Sequence, residues 1–93
     1  MSGQQMRLTA TVTGRVQGVG FRFRTMAEAQ KLGLDGEAWN SLDGTVRIVA
    51  EGGKPELEEL LAWLRSEHAP GSVDNVDAEY GAATGEFTGF GVG

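Results

Sequence analysis

The chain has 93 residues, a net charge of −5 and no cysteine, which indicates one domain with a modest core and excludes disulfide and thiolate chemistry. The acidic balance argues against a protein that coats nucleic acid, and no apolar run approaches the length of a membrane span. We expect a flexible arm over residues 1–6 and a single cytoplasmic, monomeric domain over residues 7–93.

The first predicted strand runs over residues 7–13, where apolar Leu8, Ala10 and Val12 alternate with polar side chains. A helix is predicted to follow over residues 22–33, because apolar side chains recur there at helical spacing and a glycine ends the run. Arg22 falls on the inward face of this helix, one turn before Met26. A charge at the start of an apolar stripe is costly unless an anion pairs with it.

The connection between this strand and helix is rich in glycine, and we call residues 14–21 the glycine loop. Gly14, Gly18 and Gly20 permit positive φ and let a ligand approach the backbone amides closely. Amides that precede a helix N-terminus form an anion site, and the fork of Arg22 matches two phosphate oxygens. The local chemistry predicts a site for a phosphate-like dianion. From the pattern alone, a turn that only reverses the chain is equally well supported.

The rest of the chain alternates between strand and helix patterns. Asp43-Gly44 between two alternating runs predicts a hairpin, and Pro55 followed by leucines at helical spacing predicts a core helix. The predicted elements are strands over residues 36–41, 45–51, 73–80 and 86–92, and a helix over residues 54–65. This order predicts an α+β fold, the ferredoxin-like β-α-β-β-α-β sandwich, with two helices on one face of an antiparallel sheet and a short extra C-terminal strand.

The glycine loop resembles the first signature of the acylphosphatase family, Gly-Arg-Val-Gln-Gly-Val-x-Phe-Arg, which occupies residues 14–22 with Gly20 at the free position. A second signature, an Asn followed by Gly-x-Val and a later Gly, occupies Asn40, residues 44–46 and Gly52. The resemblance covers nearly the whole chain from Leu8 onward. It implies the ferredoxin-like fold, in which the loop lies beside the second strand and near Asn40.

The resemblance implies an enzyme that hydrolyses acyl phosphates to carboxylate and inorganic phosphate. Arg22 and the loop would neutralise the phosphoryl oxygens, and Asn40 would orient the attacking water. The substrate is a small molecule, and no cofactor is implied. The loop residues expected to bind phosphate are Arg15, Val16, Gln17, Gly18, Val19, Gly20 and Phe21.

The residues themselves favour an undemanding reaction. The single histidine, His68, lies in a predicted loop, and no His, Cys or carboxylate set has metal-ligand spacing. A site without nucleophile, general acid or metal can act on acyl phosphates, because their carboxylate leaves without protonation. A non-catalytic phosphate-binding regulatory module of the same fold is the alternative. An RNA-binding module fits less well, since the polar face of the first strand carries no aromatic side chain.

Several site residues also have purely structural interpretations. Without the family resemblance, Asn40 would be read as a residue that ends a strand before a turn. Arg15 is expected near solvent or bracing the loop, and Gln17 is expected to tie the loop's own backbone together. Phe21 and Phe23 are expected to be packing residues.

Two residues depart from the family pattern around the second signature. Glu37 follows Gly36 where an aromatic residue is usual, and Trp39 precedes Asn40 where a small or basic residue is usual. Strand alternation places Glu37 and Trp39 on the face opposite Asn40. We therefore expect them to alter stability or substrate preference more than the reaction.

Overall fold

Five strands and two helices follow one another in the computed structural model, which describes residues 5–93. Their order confirms the predicted ferredoxin-like α+β fold, and most bounds differ from the predicted ones by one or two residues. The elements are β1 (Gln5–Arg15), α1 (Phe21–Lys31), β2 (Asp35–Asn40), β3 (Val46–Gly53), α2 (Lys54–Leu64), β4 (Ser72–Ala82) and β5 (Phe90–Val92).

The sheet has the strand order β4-β1-β3-β2-β5. The pairs β1–β3, β1–β4 and β2–β3 are antiparallel, and β2–β3 is the predicted hairpin. The extra C-terminal strand departs from the antiparallel pattern of the rest of the sheet, because β5 runs parallel to β2 and pairs Phe90 with Gly36. Residues 83–89 carry the chain from the β4 edge to the β2 edge, so the final strand begins at Phe90 and is shorter than predicted.

One face of the sheet packs against both helices and forms the core. Alternate residues of the two central strands point into it, as the period of two requires. Leu57, Leu60 and Leu64 of α2 are fully buried against them, and each such side chain contributes roughly 1.5–3 kcal/mol. The residues of this layer with 0 or 1 % exposure include Leu8, Ala10, Val12, Val46, Ile48, Ala50, Leu57, Leu60 and Leu64.

The inward face of helix α1 is rotated from the predicted one. Phe21, Thr25 and Ala29 are buried, whereas Met26 and Arg22 are half-buried at the side of this stripe. The Phe21 ring packs against Trp63 of α2, with ring centroids 6.1 Å apart. The larger aromatic side chain therefore takes the inward position, and Arg22 flanks the core.

The predicted N-terminal arm is only partly covered by the structure. Residues 1–4 lie outside the described residues, while Gln5 and Met6 already belong to β1 and pair with Gly53 and Gly52. Gln5 and Met6 therefore belong to the first strand and not to a flexible arm. Within residues 5–93, neither helix is long and apolar enough to cross a membrane.

Candidate active site

The glycine loop begins at an irregularity in the pairing of β1 with β4. The pairing of β1 with β4 shifts register between Thr13 and Gly14. Gly14 has φ 132°, and a Cβ built on it would lie 2.2 Å from the carbonyl oxygen of Ser72. Only glycine fits this close approach, so Gly14 is required for the shift of register that precedes the exposed part of the loop.

The loop presents a row of open backbone donors. Gly18 (φ 80°) and Gly20 (φ 77°) adopt left-handed conformations, and residues 18–20 are exposed. Within residues 5–93, the amides of residues 17–20 donate no hydrogen bond. Helix α1 begins directly after them with no capping side chain and no acidic residue in its first turn. Open amides at the positive end of a helix favour an anion.

Arg22 lies in the first turn of α1 and is held on two sides. Its Nη1 donates a hydrogen bond to the main-chain oxygen of Gly93, and its Cζ lies 5.6 Å from the centre of the Phe23 ring. Among residues 5–93, no Asp or Glu side chain lies within ion-pair distance of it. Its charge is therefore oriented, and no carboxylate side chain of the described residues neutralises it, so its other N–H groups can pair with a ligand anion.

The expectation for the two phenylalanines holds for one of them. Phe21 is 1 % exposed and packs in the core, whereas Phe23 is 54 % exposed. Phe23 therefore covers the guanidinium of Arg22 from the solvent side and contributes little to the core. The sequence predicts which phenylalanine is buried only once the inward face of α1 is known.

Asn40 is the last residue of β2 and is exposed. In the part of the chain that the structure describes, its side-chain amide makes no hydrogen bond, so it is free to hold water. The following turn is braced by Asp43, whose Oδ1 accepts from the hydroxyl (2.6 Å) and the amide (3.1 Å) of Thr45. The hydroxyl contact, more than the amide, lowers the pKa of Asp43.

Gln17 joins the glycine loop to this hairpin. Its Nε2 donates to the carbonyl oxygens of Ser41 (2.8 Å) and Thr45 (3.0 Å). The prediction that Gln17 ties the loop's own backbone is therefore wrong, because both acceptors belong to the turn after β2. These contacts bring the loop beside the residue that follows Asn40.

The other predicted loop residues differ in what they can offer a ligand. Arg15 is exposed at the end of β1, as expected. Val16 is 1 % exposed, as is Phe21, so these two could contact a ligand only through their backbone. Val19 is 39 % exposed at the loop surface.

A buried carboxylate holds the segment that leads to Gly93, and sequence reasoning missed it. Glu51 is 5 % exposed and accepts hydrogen bonds from Arg7 Nε (2.8 Å), Thr84 N (2.9 Å) and Gly85 N (3.0 Å). Burial alone would raise the pKa of Glu51, but these donors and the Thr84 hydroxyl lower it to about 2. We call residues 83–89 the crossing segment.

The crossing segment delivers β5 and Gly93 to the edge of β2. The Gly93 amide donates to the carbonyl of Ala38 (2.8 Å). A Cβ on Gly93 would lie 2.6 Å from Oε2 of Glu37 and 3.1 Å from Cβ of Trp39. Glu37 and Trp39, the two departures from the family pattern, therefore lie against the residue whose main-chain oxygen accepts a hydrogen bond from Arg22.

A cleft of about 510 Å³ lies elsewhere, between the end of α2 and β4. Its lining includes Arg65, Glu67 and Asp74 but neither Arg22 nor Asn40. Arg65 already donates to the carbonyl of Val76 (3.0 Å), and the acidic side chains repel an anion. The glycine loop is thus the better anion site. Residues 5–93 contain no group of three His, Cys, Asp or Glu placed to hold a metal ion.

Comparisons with known proteins identify the family of the chain. The family model described as Acylphosphatase matches residues 8–92. The chain belongs to the acylphosphatase family. An acylphosphatase of Paenarthrobacter aurescens (strain TC1) is 49 % identical over 90 residues, covering 97 % of this chain and 96 % of its own. One from Thermobifida fusca (strain YX) is 52 % identical over 87 residues, covering 94 % and 96 %.

A solved acylphosphatase structure from Coxiella burnetii superposes with a TM-score of 0.86 at 32 % identity. The match covers 96 % of this chain and 93 % of that one. Agreement in both sequence and fold over nearly the full length supports the enzymatic activity of the family for this chain. It is therefore an acylphosphatase enzyme.

Proposed function

We propose that the glycine loop and Arg22 bind the phosphoryl group of an acyl phosphate while Asn40 orients the attacking water. The observation that carries this proposal is the row of open amides before an uncapped helix, next to an arginine that pairs with no Asp or Glu side chain of residues 5–93. These donors match the charge on the three equatorial oxygens of a phosphoryl group in transfer. Arg15, at the start of the loop, adds positive charge.

The proposed reaction needs no protein nucleophile. The oxygen of water bonds to phosphorus as the bond from phosphorus to the carboxyl oxygen breaks, so the products are a carboxylate and inorganic phosphate. The carboxylate leaves without a proton. A phosphate oxygen accepts the proton of the attacking water. The protein's contribution is to position the reactants and to stabilise charge.

Hydrolysis of benzoyl phosphate by wild type, Arg22→Ala and Asn40→Ala tests this proposal. Arg22→Ala should lower kcat by about 10²–10³, the effect of losing a transition-state donor, and should also weaken phosphate binding. Asn40→Ala should lower kcat more than tenfold and change phosphate affinity by less than about threefold, because the Asn40 side chain is proposed to contact the water and not the phosphate.

Arg24→Ala is the matched control, since Arg24 is exposed two residues further along α1. Its kcat should equal that of wild type. Normal phosphate affinity in Arg22→Ala would contradict the proposed site, and equal losses of rate and affinity in Asn40→Ala would make Asn40 a substrate ligand. Phosphate binding without turnover by folded wild type would favour the non-catalytic regulatory module.

We further propose that the chain acts as one monomeric domain on free small molecules, because one chain supplies the loop, Arg22 and Asn40. Size-exclusion chromatography with light scattering at working concentrations tests whether the protein is monomeric.

Turnover should persist in the presence of a metal chelator, because no step of the proposed reaction uses a metal ion. The cytoplasmic location remains a prediction that cell fractionation checks.

A further inference from the structure

Gln17 makes two contacts that the proposed chemistry does not use. Its half-buried side chain leaves the glycine loop and reaches two carbonyl oxygens, those of Ser41 (2.8 Å) and Thr45 (3.0 Å). Both partners are acceptors, so the side-chain NH₂ group must supply both hydrogens. An amide is suited to this task, because it offers two donors in one plane without a charge.

The two acceptors are the residues that close the hairpin turn. The amide of Ser41 donates to the carbonyl of Thr45 (2.8 Å), and the amide of Gly44 donates to the carbonyl of Ser41 (3.1 Å). Gln17 therefore fixes the loop to both ends of the turn at once. Ser41 is bonded directly to Asn40, so the position of Asn40 relative to the loop depends on this attachment.

We propose that Gln17 is a positioning residue that holds Asn40 at the correct distance from the glycine loop. This inference rests on the proposed function, in which the loop fixes phosphorus and Asn40 fixes water. The loop connects β1 to α1, whereas Asn40 belongs to β2. The distance and direction between them must be correct for the water to attack phosphorus in line. A misplacement of about 1 Å can lower a rate about 10²-fold.

Gln17→Met tests the proposal, because methionine has a similar length and no hydrogen-bond donor. Its kcat should fall about ten- to hundredfold, while phosphate affinity changes by less than about threefold, since the loop amides and Arg22 remain. In the Asn40→Ala background, Gln17→Met should lower kcat no further, because there is no side-chain amide left to position. Gln5→Met, at the other end of β1, is the control for the same substitution and should match wild type.

The outcomes separate this inference from the proposed function. Multiplicative effects on kcat in the double variant would overturn the positioning role of Gln17 while leaving the proposed reaction intact. A loss of phosphate affinity equal to the loss of kcat would show that Gln17 only shapes the loop, and would also overturn it. No turnover by wild type would contradict the proposed function, and the positioning role would fall with it.

A measurement without turnover tests the contact itself. In ¹H–¹⁵N spectra of wild type, both side-chain amide protons of Gln17 should exchange slowly with solvent. Added inorganic phosphate should shift the Asn40 side-chain amide signals in wild type and Gln5→Met, and much less in Gln17→Met. Fast exchange of the Gln17 amide protons in wild type would overturn the proposal even if Gln17→Met failed to fold.

Discussion

Replacing Glu51 with glutamine tests how firmly the crossing segment is held. Wild-type Glu51 is a buried carboxylate that accepts hydrogen bonds from a guanidinium, two backbone amides and a hydroxyl. Glutamine has nearly the same shape but lacks the charge, and its NH₂ group would face donors. The substitution therefore removes charge-assisted hydrogen bonds without leaving a cavity.

The magnitude follows from the pKa of Glu51, which falls from 4.5 to about 2. At about 1.4 kcal/mol per pKa unit, this shift corresponds to roughly 3 kcal/mol of stability in the ionised state. Because the folded pKa lies below the unfolded one, this stability is present above pH 4.5 and is lost as the pH falls towards about 2. Protonated Glu51 then resembles glutamine.

Urea unfolding of wild type and Glu51→Gln across this pH range measures the effect. We expect the difference in unfolding free energy to be about 2–3 kcal/mol at neutral pH and below ~1 kcal/mol near pH 2. Glu86→Gln is the control, because Glu86 also pairs with Arg7 but has a side chain that is 58 % exposed. It should cost less than about 1 kcal/mol. A Glu51→Gln difference that stays constant with pH would refute the assigned pKa and its cause.

Three further substitutions test single features of α1. Thr25→Val should raise the unfolding free energy by about 1 kcal/mol in thermal or urea unfolding, because the buried Thr25 hydroxyl has no partner among residues 5–93. Phe23→Ala should raise KM for benzoyl phosphate about two- to fivefold by removing the ring that covers Arg22, a contact of about 0.5–1 kcal/mol. Arg24→Gln should leave kcat unchanged and reduce the salt dependence of kcat/KM, because Arg15, Arg22 and Arg24 pair with no Asp or Glu side chain among residues 5–93.

The parts of the fold that could be predicted are those with local causes. Pro55 and the leucines after it mark α2 by spacing alone, and Asp43-Gly44 marks the β2–β3 turn. The glycine loop was found in the same way, because its signature is contiguous from Gly14 to Arg22. In each case the residues that determine the structure lie within a few positions of one another.

The missed features depend on partners distant in sequence. Glu51 and Arg7 are 44 positions apart, and Gln17 reaches acceptors 24 and 28 positions away. Strand β5 has only three residues, and neither periodicity nor propensity indicates that it pairs in parallel with β2. The exposure of Phe23 likewise depends on Phe21 meeting Trp63 of the other helix. Such contacts exist only once the chain is folded.

These distant contacts attach the site to the scaffold in two separate places. The glycine loop is joined to the hairpin by Gln17, whereas Arg22 is joined through Gly93 to β5 and to the crossing segment that Glu51 holds. The two attachments share no residue. Gln17→Met and Glu51→Gln should therefore have independent effects, the first mainly on kcat through Asn40 and the second on phosphate affinity through Arg22. Because the effects of sites without shared partners are additive in free energy, the double variant should lower kcat/KM by the product of the two single-variant factors, and that result would support two attachments. If the double variant lowers kcat/KM no further than one single variant does, the loop, the hairpin and β5 move as one unit.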